Sequence, residues 1–380
     1  MPGGPPRRKR GTAPVPDLLA VILLLALPGV VLAAALTPLA GRAATALGLT
    51  APVREGDLSG GPRPYGGGAA ILVALVVPAT AAWFLFLPSE DGHLAGWVPW
   101  QLASDLWNHG LVLRKLSLGA AVFFGFGLMD DRYAINTSRK LLIQAVLAVL
   151  AVSGLDLCAT TGLRWTYADE WLSIVWIVAV VNAYNMLDHA DGLAAAVGAV
   201  AFLFLAAGQV LAGGWFVAAL ALAAAGALGG FLVFNLPPAK ILMGDAGSML
   251  VGFLLAALPL VATYPAPAKG YPSAVLIVPV ALLAVPLLDA LSVTLGLVAG
   301  KKSPLGSDPS RHLAHRMQAR GWSPRGIVAA ASVLAALSGA GSLLLYRPSV
   351  WMLVAGGAVM VGVGAAWLVL RRATTAISPP

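Results

Sequence analysis

The chain is short of charge. Only 11% of its 380 residues are Asp, Glu, Lys or Arg, where a soluble domain carries about 25%. It has one cysteine, Cys158, which excludes an intrachain disulfide and a Cys-rich metal centre and reads as a small core residue. No GxxxxGK[ST] phosphate loop, nucleophile elbow or Cys–His pairing is present, and no internal repeat. Nothing resembles an RNA- or DNA-binding signature, and the basic residues are scattered along loops. The net charge of +8 therefore points to anionic lipid or phosphate, with no nucleic-acid partner.

What the chain has in abundance is apolar sequence, 59% of all residues. Runs of about 20 apolar residues recur from end to end, and such runs span a bilayer as helices. A soluble bundle would show a polar stripe on each helix, and most of these runs show none. Eleven segments stand out, at 18–40, 67–88, 111–129, 141–157, 171–184, 192–212, 215–234, 248–263, 273–299, 326–346 and 349–370. The expected fold is all-α, a polytopic transmembrane helical bundle of about 11 spans in the plasma membrane. Three regions are expected: a basic, Pro/Gly-rich disordered arm at 1–16, one integral membrane catalytic domain at 17–372, and a short tail at 373–380. The first apolar run exceeds the about 7–15 residues of a signal-peptide core, so it reads as a retained span.

With eleven spans, the odd-numbered loops and the C-terminus share one face. Most of the 24 Lys and Arg fall there, and positive charge prefers the cytoplasm. The basic arm, on the other face, counts against this orientation. The three tryptophans of loop two, Trp97, Trp100 and Trp107, read as headgroup anchors.

The polar clusters also fall on odd loops. Loop three opens with GLMDDRYAINTSRK, giving Asp130, Asp131 and Lys140. Loop five, NAYNMLDHADG, carries Asn182, Asn185, Asp188 and Asp191. Loop seven, NLPPAKILMGDAGS, carries Asn235, Lys240, Asp245 and Ser248. Loop nine, SDPSRHLAHRMQARG, carries Asp308, Arg311, His312 and His315. Polar groups at a membrane boundary are costly unless they face water, one another or a ligand, and four clusters on one face can converge on one cytoplasmic site. Converging carboxylates would repel, and a hard divalent cation removes the conflict. Magnesium, or manganese in its place, binds carboxylates together with substrate phosphates. Lys140, Lys240 and Arg311 offer charge to phosphate oxygens. This inventory suits phosphoryl transfer. Asp289, buried in span nine, is a functional candidate by its depth and equally reads as a packing acid.

At these residues the chain resembles the polyprenyl-phosphate N-acetylhexosamine-1-phosphate transferases, glycosyltransferase family 4. That family shows an Asp-Asp pair followed by a lysine, an NxxNxxDGxDGLA stretch, a PAKxxxGDxGS stretch and a late His-rich loop. Here they stand as Asp130-Asp131 with Lys140, NAYNMLDHADGLA, NLPPAKILMGDAGS and DPSRHLAHRM; RPYGGG at 63–68 resembles the family's entry to span two. The resemblance runs from about residue 50 to 325. It implies a phosphotransferase of cell-wall biogenesis. A membrane polyprenyl phosphate attacks the β-phosphate of a UDP-sugar, UMP leaves, and a polyprenyl-diphospho-sugar remains. It implies Asp245 as magnesium ligand, and Asp130, Asp131 and Lys140 as catalytic residues at the lipid phosphate. Asn182, Asn185, Asp188, Asp191, Lys240, Arg311, His312 and His315 are then substrate-binding. A homodimer is left open.

HLAHRM is more similar to the N-acetylglucosamine branch than to the muramoyl-pentapeptide enzymes, which carry three consecutive histidines. UDP-GlcNAc is therefore the expected donor. The alternatives are a phospho-N-acetylmuramoyl-pentapeptide transferase and, from another class, a membrane transporter with midplane polar residues. Three features depart from the pattern: Ala314 stands for a histidine, His189 for a glycine, and two residues are inserted between Asp308 and Arg311.

Overall fold

The computed structural model describes residues 18–51, 62–85, 105, 108–163, 165, 167–264, 274–303, 308–346 and 349–372. The expected arm at 1–16, the tail at 373–380 and the loop-two tryptophans lie outside the described residues.

The apolar runs fold as helices: α1 (Leu18–Ala46), α2 (Gly67–Leu85), α3 (Gly110–Tyr133), α4 (Thr137–Val149), α5 (Ala168–Leu187), α6 (Leu193–Ala212), α7 (Trp215–Asn235), α8 (Gly244–Leu260), α9 (Ala274–Leu282), α10 (Ala284–Ala299), the short α11 (Leu313–Gln318), α12 (Pro324–Leu344) and α13 (Val350–Arg372). Each of the eleven apolar segments is helical over most of its described residues. Among the described residues, eight helices are long and apolar enough to cross a membrane. A ninth span arises if α9 and α10, bent by 78° at Leu283, are taken together. The protein is thus a nearly all-helical, multi-pass membrane protein. Residues 67–81 and α8 are shorter apolar helices.

Helix packing inside a bilayer relies on small residues that let backbones meet. Gly226 and Gly230, four apart on α7, lie against the backbone of α1 at Ala26 and Val30, where a Cβ would collide. Gly127 of α3 likewise meets the backbone of Asp245 and Ala246. α8 sits between α3 and α5, and its residues Met249, Leu250, Phe253 and Leu255 to Leu258 are buried. The most enclosed helix of the bundle therefore carries Asp245 in its first turn.

Several polar residues read from sequence as loop lie on helix ends instead. Asp130 and Asp131 end α3, Lys140 begins α4, Asn182 and Asn185 close α5, and Asp245 opens α8. α5 is accordingly longer than the 171–184 run. Asn185 faces a cavity and Asn182 bonds to the Met186 sulfur within the helix, so neither amide breaks it. Local chemistry sets two starts: Asn136 accepts from the Arg139 N–H (3.1 Å) at α4, and Ser323 accepts from the Gly326 N–H (3.1 Å), with Pro324 in the first turn, at α12.

Two features place the remaining site residues. β1 (Thr50–Ala51) and β2 (Arg63–Pro64) pair antiparallel, Ala51 opposite Arg63. A second apolar cluster joins Leu187, Leu193 and Val285 to Leu313, Met317 and Ile327, seating α11 and its flanking histidines over the end of α5. At the opposite end of the bundle, Asp105 accepts from the Phe216 N–H (2.7 Å) and so caps α7.

Candidate active site

Four chain segments meet at one end of the bundle around a cavity of about 200 Å³. Its wall includes Asp131, Asn185, Asp188, Asp191 and Asp245 from the predicted set, together with Arg63, Tyr65, His189 and Asn235.

Lys140 is the electrostatic hinge. Its Nζ lies 2.7 Å from Asp130 Oδ2 and 2.7 Å from Asp245 Oδ1. The same Asp245 oxygen accepts from Asn185 Nδ2, which also donates to Ser248 Oγ at 2.7 Å. Asp130 is buried, and its second oxygen accepts from the Ile135 N–H at 2.8 Å, fixing the turn between α3 and α4. Burying one ammonium with two carboxylates leaves net negative charge in a poor dielectric, an arrangement that rarely adds stability by itself.

Asp131 does something the sequence did not reveal. Its Oδ1 accepts from the Asp245 N–H (2.7 Å) and its Oδ2 from the Ala246 N–H (3.0 Å). It is a helix cap delivered from a different helix, and its charge complements the positive end of α8. Asp191 is also bound on both oxygens, to Arg63 Nη1 (2.7 Å) and to the Ala239 N–H (3.0 Å). It ties the β2 strand and the 236–241 turn to the cavity rim. Asn235, buried, accepts from the Gly192 N–H (3.1 Å) and donates to the Ile241 carbonyl (2.9 Å). These residues hold the frame.

Asp188 differs. No hydrogen bond holds its carboxylate among the described residues, and burial together with Asp245, Asp131 and Asp191 pushes its pKa well above the usual carboxylate range. Asp188 and the outward side of Asp245 thus supply oxygen donors at a point of excess negative charge. This donor set fits a hard divalent cation of the magnesium type.

Five predicted residues lie elsewhere. Asn182 donates to the Met186 sulfur (3.4 Å) and is not in the cavity wall. Arg311 pairs with Asp308 (2.8 Å) and lies over Gly296 and Gly300 at the end of α10; Asp308, also bonded to Ser310, is lowered to about 2. Lys240 is exposed and lines a separate apolar groove of about 590 Å³ with Arg42, Thr37, Pro38 and Phe234. Groove and cavity share a wall: Pro64 and Ile241 face the groove, Arg63 and Leu242 the cavity. His312 and His315 reach the cavity only through His189, whose ring is 4.2 Å from the first and 5.0 Å from the second. Burial and the adjacent His312 lower His189 to about 4.

Reasoning from residues alone passed over Arg63 and Tyr65 as members of the cavity wall, and placed Asn235 in a converging cluster without giving it a role. The RPYGGG stretch and the Asn that opens NLPPAK were the available signals.

A helical membrane protein with a carboxylate-lined cavity at the helix ends is the class that fold and site define. Residues 113–263 match the model of the family described as Glycosyl transferase family 4. A probable undecaprenyl-phosphate N-acetylglucosaminyl 1-phosphate transferase of Bacillus subtilis is 28% identical over 247 residues, 63% of this chain and 68% of that protein. A decaprenyl-phosphate N-acetylglucosaminephosphotransferase of Mycobacterium tuberculosis is 29% identical over 363 residues, 87% of this chain and 84% of that one. A phospho-N-acetylmuramoyl-pentapeptide-transferase of Halalkalibacterium halodurans is 35% identical over 172 residues, 40% of this chain and 51% of that protein. The family model and these relatives support glycosyl transferase family 4 as the family of this chain.

Proposed function

We propose that the protein transfers N-acetylglucosamine-1-phosphate from UDP-N-acetylglucosamine to a membrane polyprenyl phosphate. A phosphate oxygen of the lipid forms a bond to the β-phosphorus of the donor. The bond from that phosphorus to the bridging oxygen breaks, UMP leaves, and a polyprenyl-diphospho-N-acetylglucosamine remains in the membrane. The observation that carries this reading is the meeting of Asp131, Asn185, Asp188, Asp191 and Asp245 on one cavity, with Lys140 bridging Asp130 and Asp245 behind it. Similarity over most of the chain to a relative named as an N-acetylglucosaminephosphotransferase favours that sugar; the muramoyl-pentapeptide relative matches a shorter stretch.

Asp245 and Asp188 would hold the magnesium ion, which when bound supplies charge neutralisation at the diphosphate. Lys140 orients Asp245 and offers its ammonium to a phosphate oxygen once substrate displaces the carboxylate contacts. Asp131 keeps the α8 terminus in register, and Asp130 sets the turn that presents Lys140. Arg63, held by Asp191, and Tyr65 face the nucleotide side. The exposed cations Lys240 and Arg42 at the edge of an apolar groove complement a lipid phosphate. That groove is where the polyprenyl phosphate would rest before its headgroup passes the Pro64–Ile241 wall. All eleven apolar segments cross the membrane in this reading, with the cavity on the cytoplasmic side where nucleotide sugar is found.

The test is to supply purified protein with polyprenyl phosphate, magnesium and a panel of UDP-sugars, then identify the lipid product by mass and UMP by chromatography. A product heavier by N-acetylhexosamine phosphate is expected. Movement of a solute across a vesicle membrane without UMP release would establish a transporter instead.

A further inference from the structure

Beside the carboxylate cluster stands a second group of ligand-type side chains. His189, in the turn after α5, Asp289, on α10, and His312, at the start of α11, each offer one donor atom, and the three atoms lie within 4.8 Å of one another. Asp289 and His312 are buried.

The hydrogen bonds around the group fix which atoms are free. His189 Nδ1 is 2.8 Å from the Met186 carbonyl. A carbonyl only accepts, so Nδ1 carries the proton and Nε2 keeps a lone pair. That Nε2 is buried and has no hydrogen-bond partner among the described residues, a costly state for a polar atom with no ligand. A backbone carbonyl on the far nitrogen is the usual way a metal-bound imidazole is oriented. Asp289 is equally fixed: its Oδ1 accepts from the Leu313 N–H (2.9 Å) and its Oδ2 lies 2.6 Å from His312 Nδ1.

We infer that His189, His312 and Asp289 form a binding site for a borderline divalent cation of the zinc type, separate from the magnesium position at Asp245. Two imidazoles and one carboxylate are a donor set that zinc takes with a fourth position left open, and imidazole suits zinc where magnesium demands oxygen. His189 also stands in the cavity wall, so the site borders the carboxylate cluster. Donors bonded to one zinc ion at about 2.0–2.2 Å stand about 3.3 Å apart. The His189 ring therefore has to swing inward, and the Asp289 Oδ2–His312 Nδ1 pair, 2.6 Å apart, has to open slightly to admit the ion. The inference does not depend on the transferase reading.

The experiment uses the full chain, purified in detergent on a tag without histidines, stripped with chelator and titrated with Zn2+ or Co2+ alone. One tightly held equivalent of zinc is expected in the parent protein, with a four-coordinate Co2+ absorption spectrum. Loss of even an outer-shell partner costs about 10–100-fold in metal affinity, so His189→Gln and Asp289→Asn should each weaken binding by more than about 100-fold. Asp245→Asn should leave zinc binding unchanged. Absence of a stoichiometric zinc site in the parent, a six-coordinate Co2+ spectrum, or undiminished affinity in His189→Gln would each overturn the assignment. The parent-protein readings stand even if a variant fails to fold. Failure of the transferase assay leaves all of them intact.

Discussion

Asp131 and Asp245 sit on different helices, yet the Asp131 carboxylate takes the backbone N–H of Asp245 at 2.7 Å and that of Ala246 at 3.0 Å. The α8 terminus, and with it the position of the Asp245 carboxylate, is therefore held from α3. Replacing a capping residue by Ala costs about 0.5–2 kcal/mol. Asp131→Ala should lower the thermal unfolding temperature in detergent and reduce UMP release. Asp131→Asn, with one acceptor oxygen, should keep more of the stability while still losing activity. An Asp131→Ala protein as stable as the parent would show that the cap is not sustained.

Asp245 lies where Lys140, Asn185 and the cavity meet. Asp245→Asn removes the charge and keeps the shape. A metal's charge stabilisation is worth several kcal/mol, so magnesium-dependent UMP release should fall by at least about 100-fold, with the protein still folded and membrane-inserted by size exclusion and circular dichroism. Parent-level turnover in this variant would remove Asp245 from the metal site.

A Cβ at Gly127 would run into the Asp245 carbonyl. Backbone cannot yield as a flexible side chain can, and overpacking costs about 1–3 kcal/mol. Gly127→Ala should therefore push α3 from α8, lowering both stability and activity. Gly125, on the same helix with nothing near its Cβ position, is the control: Gly125→Ala should be neutral in both measurements.

Much of this was legible in the sequence, for identifiable reasons. Helices followed from apolar runs because the bilayer leaves the backbone few other solutions. The clusters around Asp130, Asp188 and Asp245 stood out because polar groups there need a purpose. What the sequence hid was partnership. Asp131 beside Asp130 reads as a pair, but one braces a turn and the other caps a distant helix. Lys240, in the same short motif as Asp245, points into a different groove, because the turn at 236–241 sends the two side chains to opposite sides of one wall. Asn182 and Asn185 read as loop because amides are rare in spans, yet a helix that ends at a cavity can carry them.

Orientation is testable by labelling. Lys301 is exposed on the loop that follows α10, at the cavity end of the bundle. In a Cys158→Ala background, Lys301→Cys should react with a membrane-impermeant maleimide only after intact cells are permeabilised. Labelling from outside intact cells would turn the cavity to the exterior and remove access to cytoplasmic nucleotide sugar.

The groove beside α1 makes the last prediction. Lys240 and Arg42 are both exposed and share a concave wall of Thr37, Pro38, Phe234 and Ile241, so a chain lying there would bury apolar carbon while its phosphate meets two cations. Neither cation lines the carboxylate cavity. If the groove receives the acceptor lipid, Lys240→Ala and Arg42→Ala should raise KM for polyprenyl phosphate while leaving KM for the UDP-sugar near its parent value. Loss of one exposed ion contact is worth about 0.2–1 kcal/mol, or roughly a 1.4- to 5-fold rise per substitution, and the double variant should show the product of the two. Equal effects on both substrates would mean that the turn at 236–241 had moved and disturbed the Asp191–Ala239 tie. An unchanged lipid KM in both variants would send the acceptor into the cavity by another path.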